Sequence, residues 1–84
     1  MENRIAMIGI FVYDRAASER INSLLHEANE YIVGRMGIPY REKQISVISV
    51  ILDAPNDVIG ALSGKLGMVE NVQVKTLYAK ATED

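Results

Sequence analysis

Two stretches of this sequence are apolar at both strand parities, and they constrain the fold more than anything else in it. The first is Ile5-Ala6-Met7-Ile8-Gly9-Ile10-Phe11-Val12. In an extended chain it points Ile5, Met7 and Phe11 one way and Ala6, Ile8, Ile10 and Val12 the other. The second lies between Lys43 and Leu52, with Ile45, Val47 and Ile51 on one side and Ile48, Val50 and Leu52 on the other. Short β-branched runs bounded by polar residues read as strands buried on both faces.

The remaining segments fall into place around these two. Asp14 offers a helix N-cap. After it, Ala17, Ile21, Leu24, Leu25 and Ala28 recur at helical spacing, with Glu19, Arg20, Asn22, Ser23 and Glu27 on the opposite surface. That helix is expected to end near Asn29 or Glu30. Tyr31 to Met36 reads as a second strand interrupted by Gly34 and Arg35. Gly37-Ile38-Pro39-Tyr40 reads as a connection, because proline cannot donate to a ladder. Asp53 to Asp57 has the chemistry of a loop entering a second helix, whose apolar face is Val58, Ile59, Leu62 and Leu66. Gly67 is its expected terminator. Gly60 and Gly64 inside it cost ~1 kcal/mol each relative to alanine, which points to close approach of the helix to the sheet or to a neighbouring subunit. A last strand runs from Val72 to Ala81.

The order β-α-β-β-α-β predicts one ferredoxin-like α+β domain over residues 1–84, a four-stranded antiparallel sheet with two helices on one face. In that topology the first and third strands are central. Arg35, Lys75 and Lys80 then fall on the edge strands, where charge discourages open-ended pairing. Two helices cover only one face of such a sheet, and neither central strand has a polar face to show water. None of the connecting segments is long enough to cover the second face. Self-association is therefore expected, as a homodimer or homotetramer. It would also supplement a small core, since a chain of 84 residues buries only ~60–65 % of its unfolded surface.

Composition removes several functions. There are no cysteines, which excludes disulfides, thiolate metal sites, iron–sulfur ligation and a cysteine nucleophile. The net charge of −2 gives no global attraction to nucleic acid or to an anionic membrane. Met1-Glu2-Asn3-Arg4 leads into only about eight apolar residues with no cleavage site, so neither signal peptide nor span is expected and the default is cytoplasmic. Nothing reads as a nucleophile–base pair, a carboxylate pair in a cleft or a phosphate loop; Gly9 is not part of a G-x-G-x-x-G. The chain is read as no enzyme and as needing no cofactor.

The side chains that remain are candidates for binding. Tyr13-Asp14-Arg15 sits where the first strand meets the first helix. Free backbone N–H groups there favour an anion, and Arg15 can pair with a carboxylate. Arg35, Arg41 and Lys43 cluster around the hairpin with Tyr31 and Tyr40. Basic residues interleaved with aromatics can hold a nucleotide or a nucleic-acid backbone, but Glu42 interrupts the cluster, and a solvated hairpin tip or an interface with an acidic partner surface is the favoured reading. The expected ligand site is an inter-subunit groove formed by Tyr13, Asp14, Arg15, Arg35 and Tyr40, and a small-molecule effector or a partner protein is the class of binder. His26, the only histidine, cannot form a metal site within one chain without several carboxylates; two copies meeting across an interface are the weak metal candidate.

The stretch Val33-Gly34-Arg35-Met36-Gly37-Ile38-Pro39-Tyr40-Arg41-Glu42-Lys43 resembles the iron-only hydrogenase system regulator family. So do Ser63-Gly64-Lys65-Leu66-Gly67-Met68, the Val72-Gln73-Val74-Lys75 strand and the opening Arg4-Ile5-Ala6-Met7-Ile8-Gly9-Ile10, so that the likeness spans nearly the whole chain. That family resembles ACT domains and the C-terminal domain of a nickel-responsive repressor, which are ferredoxin-like oligomers holding effectors or metals at subunit interfaces. The resemblance implies a non-catalytic regulator. One histidine and no cysteine cannot supply the nickel site of that repressor, and there is no DNA-binding arm, so regulation implies a partner chain or a ligand-gated contact. A structural assembly subunit without a ligand, and a metal-binding module using His26, are the alternatives.

Overall fold

The structure, a computed structural model, describes residues 2–80. Chain order is β1 (Asn3–Val12), α1 (Arg15–Glu27), one 3-10 turn (Asn29–Tyr31), β2 (Ile32–Tyr40), β3 (Ile45–Pro55), α2 (Asn56–Gly67) and β4 (Val72–Tyr78). The strands form one antiparallel sheet in the order β2-β3-β1-β4. The two doubly apolar strands are therefore central. This is the ferredoxin-like α+β arrangement.

Parity divides the sheet into two unlike faces. Ala6, Ile8, Ile10 and Val12 of β1 and Ile48, Val50, Leu52 and Ala54 of β3 point to the helices and are buried. They pack on Ile21, Leu24 and Leu25 of α1 and on Ile59, Leu62 and Leu66 of α2. The helix stripes select this set because they supply the only apolar layer the chain can lay on its sheet. No polar side chain among the described residues is buried in that core. A hydroxyl pair at its border, Ser63 to Thr76 at 2.7 Å, ties α2 to β4.

The opposite parity faces outward. Ile5, Met7 and Phe11 of β1 and Ile51 of β3 stand exposed there. Registered beside them are Met36, Ile38 and Tyr40 of β2 and Leu77 of β4, also exposed. Among the described residues, Asp53 and Lys75 are the only acid and base on that face.

Several boundaries differ from the sequence reading. β2 does not stop at Met36 but continues through Gly37 to Tyr40, with Pro39 opposite Ser46. An edge strand points every second N–H away from its neighbour, so proline can sit in it without costing a ladder bond. β3 starts at Ile45 rather than Lys43, which lies in the turn. α1 ends at Glu27, and Asn29–Tyr31 forms the separate 3-10 turn. Gly67 is the last helical residue of α2 and not its left-handed terminator; the left-handed residue is Asn71, at φ 63°. A Cβ at Gly60 or Gly64 would meet nothing within 4 Å, so close packing on the sheet does not explain these glycines. β4 ends at Tyr78, which leaves Lys80 past the strand, and Ala81 lies outside the described residues.

The described residues extend over 45 × 21 × 17 Å. Residues 35–44 are all exposed, so the β2–β3 hairpin runs out beyond the helical layer. That overhang creates the site described next.

Candidate functional site

Beneath the overhanging hairpin lies an open groove of about 750 Å³. One wall is the passage from β1 into α1, carrying Tyr13, Asp14, Arg15 and Ser18. The other is the hairpin end, carrying Pro39, Tyr40, Arg41, Gln44 and Ser46.

The first wall is held rigidly. The Tyr13 N–H donates to the Asn71 carbonyl at 2.8 Å, and its hydroxyl donates to Gln73 Oε1 at 2.9 Å. Asp14 leaves the strand in an extended conformation, φ −136° and ψ 126°, and caps α1 by accepting from the Ala16 N–H at 3.1 Å. Its second carboxylate oxygen accepts from Asn71 Nδ2 at 3.3 Å. On the second wall the turn is closed by Lys43 N–H to Tyr40 O and Gln44 N–H to Arg41 O, at 3.3 and 3.1 Å. Gln44 takes a left-handed φ of 57° to complete it, a conformation that costs an L residue about 1–2 kcal/mol.

The electrostatics of the groove favour an anion. Asp14 is the only acid lining it among the described residues, and its two oxygens are engaged by the cap and by Asn71. Arg15 and Arg41 stand against it. Arg15 is the first residue of α1, and no acidic residue shares its turn. A cation at a helix N-terminus opposes the macrodipole by ~0.3–1 kcal/mol. Arg15 therefore does not serve the stability of α1. The Arg15 and Arg41 guanidinium groups, with the Tyr40 hydroxyl, can grip a carboxylate or phosphate. Among the described residues, no histidine, cysteine or lysine lines the groove.

Four of the five sequence-derived site residues, Tyr13, Asp14, Arg15 and Tyr40, line this groove. Arg35 does not. It points to the helical side of β2, opposite Val50, and donates from Nη2 to Asn22 Oδ1 at 2.7 Å, clamping the edge strand to α1. Arg41 holds the place given to Arg35. The signal for it was present in the basic cluster, but it becomes legible only once β2 runs to Tyr40 and so carries Arg41 to the tip. Gln44, Ser18 and Ser46 were also missed, because the turn register that brings them in has no local sequence mark. His26 is exposed in the last turn of α1. Among the described residues no three His, Cys, Asp or Glu side chains meet in a way that could hold a metal ion. No helix among them is long and apolar enough to cross a membrane.

A four-stranded antiparallel sheet with two helices on one face defines a ferredoxin-like α+β domain, here with a polar groove at the β1–α1 end. More specifically, the chain belongs to the TM1266-like family, described as "Iron-only hydrogenase system regulator, putative", whose model matches residues 4–76. Among solved structures, the chain is 42 % identical to the uncharacterized protein TM1266 from Thermotoga maritima. That likeness has a TM-score of 0.90 and covers 94 % of this chain and 100 % of the other. Two remoter likenesses concern the fold alone. A formyltetrahydrofolate deformylase from Pseudomonas putida KT2440 matches at TM-score 0.63 and 11 % identity, over 87 % of this chain and 28 % of the other. The divalent ion tolerance protein CutA1 from Ehrlichia chaffeensis matches at 0.52 and 14 %, over 100 % of this chain and 89 % of the other. No curated protein matches the chain.

Proposed function

We propose that this chain is a non-catalytic, ACT-like regulatory subunit of an iron-only hydrogenase system, working as a homo-oligomer that binds a small anionic effector in the groove. The observation that carries the reading is the placement of Arg15 at the first position of α1, lining the same groove as Arg41, where the one acid among the described lining residues is already bonded. Family membership supports the regulatory role. Binding would act by favouring one arrangement of the subunits over another, in proportion to the difference in affinity. A partner chain carries the signal onward.

The test is thermal unfolding with inorganic phosphate, succinate and ATP, each over a range of concentrations. A ligand at 100 times its Kd stabilises by about 2.7 kcal/mol, which in a domain of this size raises Tm by roughly 10 °C or more. The expected result is a rise with at least one anion that is lost in Arg15→Ala and Arg41→Ala and kept in Arg35→Ala. A rise that survives both groove variants refutes the site, and no rise with any anion refutes the anionic effector.

A further inference from the structure

The open face of the sheet is left unused by the groove apart from Tyr40, which belongs to both. Its eight large apolar side chains are each exposed by between 39 % and 66 %. At ~200 Å² of accessible surface apiece, that amounts to roughly 800 Å² of apolar area. The largest patch on an ordinary monomer is about 300–600 Å². One side of a standard protein–protein interface is about 800 Å².

We propose that this face is the contact with a second copy of the same chain, sheet against sheet about a two-fold axis. The inference rests on the homo-oligomeric reading above and adds the surface and the geometry. A two-fold contact sets one patch against itself, so a patch with net charge repels its own copy. Among the described residues this face carries one acid and one base, Asp53 and Lys75, which balance. Nothing on it argues for an oppositely charged partner.

A second observation concerns Gly9, at the middle of the central strand. It pairs with Ser49 on one side and Lys75 on the other, so three short or flexible residues lie side by side across the sheet. Over them is a shallow, largely apolar hollow of about 220 Å³, bordered by Phe11 and Val47. A Cβ on Gly9 would meet only the Lys75 carbonyl oxygen, at 4.0 Å. The chain's own packing therefore has room for a side chain here, and glycine weakens a strand interior. An occupant from outside the chain accounts for the hollow. In a two-fold contact a large apolar side chain of each copy enters the hollow of the other, which lets the two sheets approach to the ~10 Å of packed sheets.

The experiment is sedimentation equilibrium of the wild-type chain and of Met7→Glu, Leu77→Glu and Gly9→Val, with circular dichroism and thermal unfolding of each. Met7 and Leu77 are exposed in the single chain, so glutamate is tolerated there unless a partner buries it. The expected result is self-association of wild type, weakened ~100-fold or more by either glutamate, as for a charge buried without a partner. Gly9→Val is expected to keep or raise the Tm of the dilute chain while weakening association ~10-fold or more. A wild-type chain that associates with unchanged affinity in all three variants overturns this face and leaves the homo-oligomeric reading standing. A wild-type chain that stays monomeric at ~100 μM overturns both. Should a glutamate variant unfold, Gly9→Val decides: unchanged association refutes the contact.

Discussion

Ile8 and Met7 are neighbours on one strand with opposite fates, and that contrast tests the division of the sheet. Ile8 is fully buried between β1 and the helices, whereas Met7 is 44 % exposed on the open face. Ile8→Ala deletes three carbons, at about 0.8 kcal/mol per buried CH₂. It also leaves a cavity beneath α2 that a close-packed core closes only in part, so the total is about 3 kcal/mol, within the ~2–5 measured for such changes. A chain of 84 residues has a total stability of ~4–13 kcal/mol at 0.05–0.15 kcal/mol per residue. The variant therefore loses a quarter of its stability or more. Met7→Ala removes surface that is already half in water and should cost about 1 kcal/mol or less.

Urea unfolding at low micromolar concentration is the assay. With a slope near the lower end of ~1–3 kcal/mol/M, Ile8→Ala lowers the midpoint by about 2 M and Met7→Ala by well under 1 M, both at unchanged slope. Raising the protein concentration should raise the wild-type and Ile8→Ala midpoints more than that of Met7→Ala, because only Met7 lies in the proposed contact. Equal midpoint shifts for the two variants at low concentration would refute the assignment of faces.

Three further outcomes follow from the same geometry. Arg15→Glu should raise Tm by a few degrees at low salt, by converting an unfavourable helix-dipole interaction into a favourable one. The gain should fade at 1 M salt; no gain at low salt would mean that Arg15 is held by interactions that the groove geometry does not reveal. Asp14→Ala should cost about 1–2 kcal/mol, lowering Tm by roughly 4–16 °C, because it loses both the cap and the link to Asn71. Asp14→Asn keeps the cap and should lose less, and equal losses would show that charge matters more than capping. Gly60→Ala and Gly64→Ala should each stabilise by about 0.5–1 kcal/mol in thermal unfolding, since both are exposed with open space around them. Destabilisation by either would place α2 against another subunit.

The fold was legible because its strongest signals are local. Two runs apolar at both parities, a helix stripe after Asp14 and another after Asn56 leave few other topologies. Which parity meets the helices was not legible. Gly9 and Ser49 dilute one set and Ser46 the other, so the two faces read alike until α1 and α2 choose between them. The hairpin shows a different failure. Gly37 and Pro39 are strand breakers by local chemistry, and only the edge position of β2 makes them tolerable. Ending the strand at Met36 placed Arg35 at the tip in place of Arg41, and one of the five expected site residues was misplaced for that reason. Tyr13, Asp14 and Arg15 line the groove because a strand end, a cap and a helix start coincide within three residues. Gln44 and Ser46 join the groove through tertiary register alone.

The central claim is that this chain is a self-associating binding subunit, and native mass spectrometry of the purified protein tests it most directly. One chain weighs 9.3 kDa. The account predicts an even multiple of that mass, a dimer or tetramer, which gains the mass of one anion per groove when a ligand that raises Tm is added. A 9.3 kDa monomer that takes up no anion would contradict it.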